Sequence, residues 1–577
     1  MIAAGDIRSG KPKLKLIVFG ILALVLALRL ANLSSAMLSP LSYQPGPDED
    51  YYQRFGQAVA AGVGQNSPEF TSLDPGYGYL LGAIFKLVGV NLFAVYLLQA
   101  LADAATAVAV LVIGRMLGRP QAGLYGALVY GVASSAIMYS ATLLKATWVA
   151  SYLAWWAAGA LALIRSERKL PWVLFGCYCA VGVALRANLL LLALLSLLLP
   201  GLCARQTQSL RNWGAKSALI AGGMVLAFLP WSIRNYHAYG GISPLPHNGG
   251  ISLHQVYNAE NPTAELWVPS FVNYLHPSEI WRGYAAEASA RAGRALSPPE
   301  VDRYWRDEAL SFIEQHPGET ILHVLKKGLG FLSAREVPDN RSLAEEKLFS
   351  PVLRWLPSPT VWLFAMGLAG LVWFAIEDRR WPIIAAPIAV SWLTVAIFFA
   401  SDRFRFHAAP MLAVCSGVWI DRTIRGMHAR RKWPVLKFAL LAGVIAALSL
   451  YLGSQSPPAA IRWDQIAWGY IKMGKIPEAQ ALAERIAAQQ PDNGAILEAL
   501  GYTAIARQNY DEAARYYQRA IELRPRSHVA HYNLARALLL LGRNSQAEVE
   551  AKIAVSLNPA PDYQALLTKI QADAIAR

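Results

Sequence analysis

At 577 residues, 55% hydrophobic and with a mean hydropathy of +0.30, the chain is too long for one domain and too apolar for an ordinary soluble protein. It reads as an all-α polytopic membrane protein. The net charge of +15, from 53 Lys+Arg against 38 Asp+Glu, would suit a nucleic-acid partner only if the basic residues gathered on one face. They sort by membrane side instead, so the charge reads as topology and no nucleic acid is expected.

The N-terminus carries Arg8, Lys11, Lys13 and Lys15 ahead of an apolar run that has no clear cleavage site before Ser34-Ser35-Ala36. This predicts an uncleaved first span with a cytoplasmic N-terminus. Apolar runs of about 16 to 24 residues are to be compared with the roughly 20 that cross a bilayer as helix. They fall near 16–36, 91–114, 120–140, 144–164, 171–186, 189–204, 217–234, 359–376, 382–400, 406–421 and 434–453, about eleven spans. The cytoplasmic loops then become Arg115–Arg119, Arg165–Lys169, Arg205–Lys216, Glu377–Arg380 and Asp421–Lys432, each rich in Lys or Arg as the positive-inside rule requires. Residues 37–90 and 235–358 face the exterior, as does the C-terminus after an odd number of crossings. Cys177, Cys179, Cys203 and Cys415 lie in or beside apolar spans without metal or CxxC spacing, and read as packing residues.

After the first span comes Gly46-Pro47-Asp48-Glu49-Asp50-Tyr51-Tyr52. Pro47 suits a helix start, and three carboxylates there favour the positive end of the helix dipole. Tyr52, Phe55 and Val59 recur at helical spacing, which predicts an interfacial helix ended by Gly62. A plain helix cap is the alternative reading of Asp48. Pro75-Gly76-Tyr77-Gly78-Tyr79 heads a second interfacial or re-entrant segment over 75–90. The exterior loop from about 237 to 355 begins with turn residues and continues as amphipathic helix from Ser278 to Gly328, the make-up of a lid or substrate-binding element. His237, His247 and His254 in that loop match no metal spacing.

From about 456 the composition turns Ala-rich, charged and helical. Pro457, Pro491, Pro525 and Pro559 stand 34 residues apart, with Trp468-Gly469-Tyr470, Leu500-Gly501-Tyr502 and Leu534-Ala535-Arg536 between them. Each triplet is followed by Glu478-Ala479, Glu512-Ala513 or Gln546-Ala547. Period and residues resemble the tetratricopeptide repeat over three units, a helical solenoid whose kind holds peptides or proteins. The expected domains are 1–455 in the membrane and 456–577 as an exterior repeat domain.

Several charges run against the positive-inside pattern. Lys145 opens the fourth span, Arg186 ends the fifth, Arg234-Asn235 ends the seventh, and Asp402-Arg403-Phe404-Arg405 lies between the ninth and tenth. All fall at the level of Asp48, where ionisable groups are costly unless paired or functional. An ion-pair network is one reading; an anionic lipid headgroup is the sharper one. A sugar on a lipid phosphate already has a good leaving group, so cations that stabilise the departing phosphate suffice and no general acid is needed. One carboxylate can take the proton of the attacking acceptor. No nucleotide-binding loop is present, which disfavours a nucleotide-sugar donor.

Pro47-Asp48-Glu49 with Tyr52, Pro75-Gly76-Tyr77, Leu185-Arg186, Pro230-Trp231-Ser232-Ile233-Arg234-Asn235, Asn248-Gly249-Gly250 and Arg403-Phe404-Arg405 are similar, in order, to the GT-C superfamily of polyprenyl-phosphate-dependent glycosyltransferases. Bacterial lipid A aminoarabinose transferases and protein O-mannosyltransferases are nearest in pattern. The resemblance implies Asp48 as base, Glu49 as its support, and Arg234, Arg403 and Arg405 as contacts to the donor phosphate, joined by Lys145 and Arg186. Tyr52, Tyr77, Asn235 and Asn248 stand in the same motifs as substrate contacts. Leu143-Leu144-Lys145-Ala146-Thr147 departs from the family, which often has an acidic residue there. The implied enzyme is a glycosyltransferase of the bacterial inner membrane that requires no cofactor, a divalent cation being left open by the missing carboxylate. Its acceptor would be protein or surface glycan, or else lipid A. A non-catalytic repeat scaffold and a lipid-linked sugar flippase are the rival classes.

Overall fold

The computed structural model describes residues 12–575 apart from 65, 68, 69, 71, 204–209, 264, 273–275 and 431. Arg8 and Lys11 of the basic N-terminus, and the start of the Arg205–Lys216 loop, lie outside the described residues. Among the described residues there are helices and turns but no strand. The chain forms two compact units. One comprises residues up to Ser35 and Gly46–Ala459; the other comprises Ala36–Pro45 and everything from Ala460.

Among the described residues, six helices are long and apolar enough to cross a membrane: Lys15–Met37, Leu92–Met116, Ala146–Leu163, Asn212–Tyr239, Pro359–Glu377 and Lys432–Ser454. The protein is a multi-pass helical membrane protein. The other apolar segments are helical too, but shorter or interrupted. Lys169–Leu185 and Trp381–Ile397 have 17 residues each, and Ala409–His428 ends in charged turns. The 189–204 run breaks into short helical pieces around Pro200.

The expected 120–140 span is two helices, Pro120–Gly131 and Ser134–Tyr139. The break leaves carbonyls without helical partners, and the Arg29 guanidinium donates to those of Tyr130 and Gly131. Arg29 is itself fully buried against Asp103 on the Leu92–Met116 helix, at 2.7 Å, and the Tyr130 hydroxyl donates to the same carboxylate. An intramembrane charge is thus paired and used to repair a helix break. Elsewhere, small residues let helices meet backbone to backbone. A Cβ at Gly176 would stand 2.0 Å from the Ile220 carbonyl oxygen, and one at Gly223 would stand 2.1 Å from that of Val173.

The second unit is a helical solenoid. Its pairs are Trp463–Lys472 with Ile476–Gln489, Gly494–Ala506 with Tyr510–Leu523, and His528–Leu540 with Asn544–Leu557, followed by Pro561–Ile575. Ala479, Ala513 and Ala547, equivalent by period, are completely buried, because only a methyl fits where paired helices cross. The turn within each pair has a left-handed residue at Gly474, Gln508 and Gly542, again 34 apart. The short helix Pro40–Tyr43 belongs to this unit and packs on Trp463–Lys472. A Cβ at Gly469 would lie 2.2 Å from the Pro40 carbonyl oxygen. These ten residues after the first span sit where a further repeat would, and no periodicity in the sequence announces it.

Candidate active site

The acidic turn opens the helix Pro47–Ala61, with Pro47 in the first turn, the Gly46 N–H donating to Glu49 Oε2 at 2.8 Å, and Gly62 at φ 70° ending it. Asp50, the third carboxylate of the turn, is held by Arg54 and His276 at 3.0 and 3.2 Å; the other two differ in their surroundings. Glu49 is fully buried and saturated. It accepts the Gly46 and Leu143 amides, and Arg341 grips it at 2.7 Å through one terminal nitrogen and at 2.9 Å through Nε. Asp48, whose side chain is 21% exposed, is the carboxylate a substrate can reach. Its Oδ2 pairs with Arg403 at 2.6 Å, while its own N–H donates to Asn340 Oδ1 at 2.9 Å. Arg403 extends its other terminal nitrogen to Asp339 at 3.0 Å.

A second pair lies alongside. Lys145, at the head of the helix Ala146–Leu163, donates to Asp74 and, at 2.8 Å, to the Tyr52 hydroxyl. Asp74 also accepts the Ala187 N–H at 2.8 Å, which ties the turn after Arg186 to the same carboxylate. Arg186 ends the helix Lys169–Leu185 and lays its guanidinium over the Phe404 ring, 4.0 Å from the centroid. It is 8% exposed, forms no ion pair among the described residues, and leaves Nε and one terminal nitrogen without a hydrogen-bond partner. His407 Nε2 is likewise unpartnered and buried.

Burial raises the Asp48 carboxyl, but the Arg403 guanidinium, aided by Lys145, outweighs it and holds the group below the usual aspartate range. Arg186 and Arg403 both lie over the Phe404 ring, and Arg186 keeps buried donors unspent. Positive groups gathered in a buried setting, with donors unspent, form a site suited to an anion.

The remaining expected residues are engaged elsewhere. Arg234 donates to the Phe70 carbonyl at 2.9 Å and lies over Phe55 and Tyr79, in an aromatic cluster. Asn235 beside it donates to the Ser243 carbonyl at 2.7 Å and so fixes the start of the 237–355 loop. Arg405 is spent on the Ser333 and Arg335 carbonyls and on Asp402, which makes it a strut rather than a free cation. Tyr77 donates to Gln99 Oε1 at 2.8 Å, and Gln99 in turn donates to the Thr142 carbonyl at 2.7 Å, a chain that braces the turn presenting Lys145. Asn248 heads the helix Gly249–His254, whose Gly250 amide donates to Asp302 within the loop's own core. Burial brings His247 and His254 down to about 4, and both pack on aromatic rings.

Asp74, Asp339, Asn340 and Arg341 are site residues that the motif reading passed over. Asp74 stands immediately before the Pro75 motif, and Pro338-Asp339-Asn340 is a turn signal beside Arg341 near the end of the 237–355 loop. A divalent cation needs carboxylate oxygens not already held by other cations. Here Asp48, Glu49 and Asp74 are each paired with a protein cation, and among the described residues no group of three acidic, His or Cys side chains is placed to hold a metal. The donor set does not fit one.

Fold and site define a multi-pass helical membrane protein with a desolvated acid–cation pocket and a tetratricopeptide-repeat unit. Two tetratricopeptide-repeat models match residues 465–528 and 504–570. No curated protein matches the sequence. Among solved structures, the chain is similar to the archaeal oligosaccharyltransferase AglB from Archaeoglobus fulgidus in complex with an inhibitory peptide and a dolichol-phosphate. Identity is 12% and the TM-score 0.41, over 78% of this chain and 57% of that one. It is also similar to ArnT from Cupriavidus metallidurans bound to undecaprenyl phosphate, at 14% identity and TM-score 0.31, over 80% and 88% of the two chains. This chain spans a little over half the length of the archaeal enzyme.

Proposed function

We propose that the protein is an inverting glycosyltransferase that moves a monosaccharide from a polyprenyl-phosphate donor to an acceptor hydroxyl or amine at the outer face of a bacterial inner membrane. The observation that carries the reading is the Asp48–Arg403 pair set beside the unspent donors of Arg186 and the Lys145 ammonium. In this scheme the donor phosphate lies against Arg186, Arg403 and Lys145, which stabilise the charge that develops on it as the glycosidic bond breaks. The acceptor loses its proton to Asp48 as it attacks the anomeric carbon from the opposite face. Arg403 connects the two halves. When its guanidinium turns toward phosphate, the force that depresses Asp48 weakens, and the carboxylate becomes a stronger base when the donor is in place.

Glu49 and Arg341 hold the backbone of the turn. The N-terminus lies in the cytoplasm and the repeat unit on the outer side. Trp468, Tyr502 and Arg536 recur every 34 residues on the first helix of each repeat, half-buried, and offer aromatic and cationic surface to an acceptor protein or glycan.

The test is Asp48→Asn, which keeps shape and removes the base. Glycan and glycoprotein mass spectra of a deletion strain complemented with this variant are expected to match those of the deletion strain. A loss of roughly 10² to 10⁴ in transfer rate is the size expected for a general base. Undiminished transfer would overturn the mechanism and favour a scaffold. For the repeats, Tyr502→Ala with Arg536→Ala should impair transfer to the natural acceptor and spare undecaprenyl-phosphate binding.

A further inference from the structure

The helix Pro317–Gly330 in the exterior loop has two opposed faces. His323, Lys327 and Gly328 are buried, whereas Ile321, Leu322, Leu325 and Leu329 are 49–60% exposed. The buried face is fastened to the end of the apolar helix Trp381–Ile397. Lys327 Nζ donates to the Ile397 and Phe398 carbonyls at 3.1 and 2.8 Å and to the Tyr257 hydroxyl at 3.1 Å, and Trp392 Nε1 donates to the Gly328 carbonyl at 3.0 Å. An ammonium on the last carbonyls of a helix satisfies groups that lipid could not. These ties fix which side of Pro317–Gly330 faces outward.

We propose that this outward face is a membrane seat, with the four aliphatic side chains in the boundary between lipid headgroups and acyl chains. Three observations favour lipid over a protein partner. The face is continuous with the exposed Trp392 and Ile397 on an apolar helix of the membrane unit, so lipid that covers one reaches the other. Its apolar residues are aliphatic and bordered by exposed Glu319 and Lys326, the make-up of an interfacial helix. Trp392, at the junction, has the amphipathic ring that favours this depth. The loop is thereby moored to the bilayer at Ile397, four residues before Ser401-Asp402-Arg403, whose arginine holds Asp48.

The test uses the full chain in nanodiscs of phosphatidylethanolamine and phosphatidylglycerol, with a bimane label at L325C and, as a reference, at exposed Glu308→Cys on the neighbouring helix Pro298–Gln315. The unsubstituted chain supplies the background. Lipids with doxyl-labelled chains are expected to quench the label at 325 several-fold more than at 308, and aqueous iodide to do the reverse. L322C repeats the measurement should L325C fail to fold. A label at 325 that iodide reaches as freely as at 308 would overturn the proposal, as would one shielded from both quenchers, which would mean that protein covers the face.

Discussion

Two neighbouring carboxylates in one turn should fail in opposite ways. Glu49 is completely buried and accepts a guanidinium and two backbone amides; Asp48 is partly open and accepts chiefly Arg403. Glu49→Gln leaves Arg341, itself 5% exposed, with a buried charge that has lost its nearest carboxylate, Glu346 standing 3.4 Å away. Breaking one side of a buried pair costs about 3–5 kcal/mol. Thermal unfolding in detergent, followed by size-exclusion chromatography, should show a midpoint lower by on the order of 5–10 °C, while the folded fraction keeps its transfer activity. Asp48→Asn should move the midpoint by far less and lose activity. The double change Glu49→Met with Arg341→Met should recover much of the stability, because both charges leave together. If Glu49→Gln melts like the unchanged protein yet is inactive, the assignment of Glu49 as anchor and Asp48 as base is refuted.

Arg186→Gln should weaken undecaprenyl-phosphate binding, followed by native mass spectrometry, by roughly tenfold to a hundredfold, the worth of one or two charged hydrogen bonds; unchanged binding would remove Arg186 from the phosphate site. Since Asp48 is held below its unfolded value near 3.8, its ion pair contributes stability above that pH and loses it as pH falls through the lower folded value. Transfer rate should accordingly show no acid limb from Asp48 between pH 5 and 7 in a rate profile. Arg29→Met should destabilise the membrane unit by about 3–5 kcal/mol, as it leaves the buried Asp103 without its cation and takes a donor from the Gly131 carbonyl, measured by the same thermal assay. Gln508→Gly should stabilise the repeat unit by roughly 0.5–1 kcal/mol in urea unfolding, since a left-handed residue with a side chain is strained there.

Hydropathy located the long apolar helices, six of which among the described residues are long enough to cross a membrane, because helices facing lipid must be continuously nonpolar and the bilayer fixes their length. The 34-residue period located the repeats for a similar reason: each unit buries the same small residues against its neighbour. Composition could not show where a span breaks, since the interruption after Gly131 depends on Arg29, about a hundred residues earlier, to satisfy the freed carbonyls. Nor could spacing reveal that Ala36–Pro45 packs with the repeats.

For the site, charges against the positive-inside pattern and the motif order selected Asp48, Lys145, Arg186, Arg234, Arg403 and Arg405; the structure brings Asp48, Lys145, Arg186 and Arg403 near one another and engages Arg234 and Arg405 elsewhere. Local sequence treats Arg403 and Arg405 alike, as it does Asp48 and Glu49. Tertiary structure separates them: the Ser333 and Arg335 carbonyls occupy both terminal nitrogens of Arg405 and Arg341 holds Glu49, whereas Arg403 is turned to the partly exposed Asp48. A charged residue's role depends on which of its hydrogen bonds are already spent, and that is settled by segments distant in the chain.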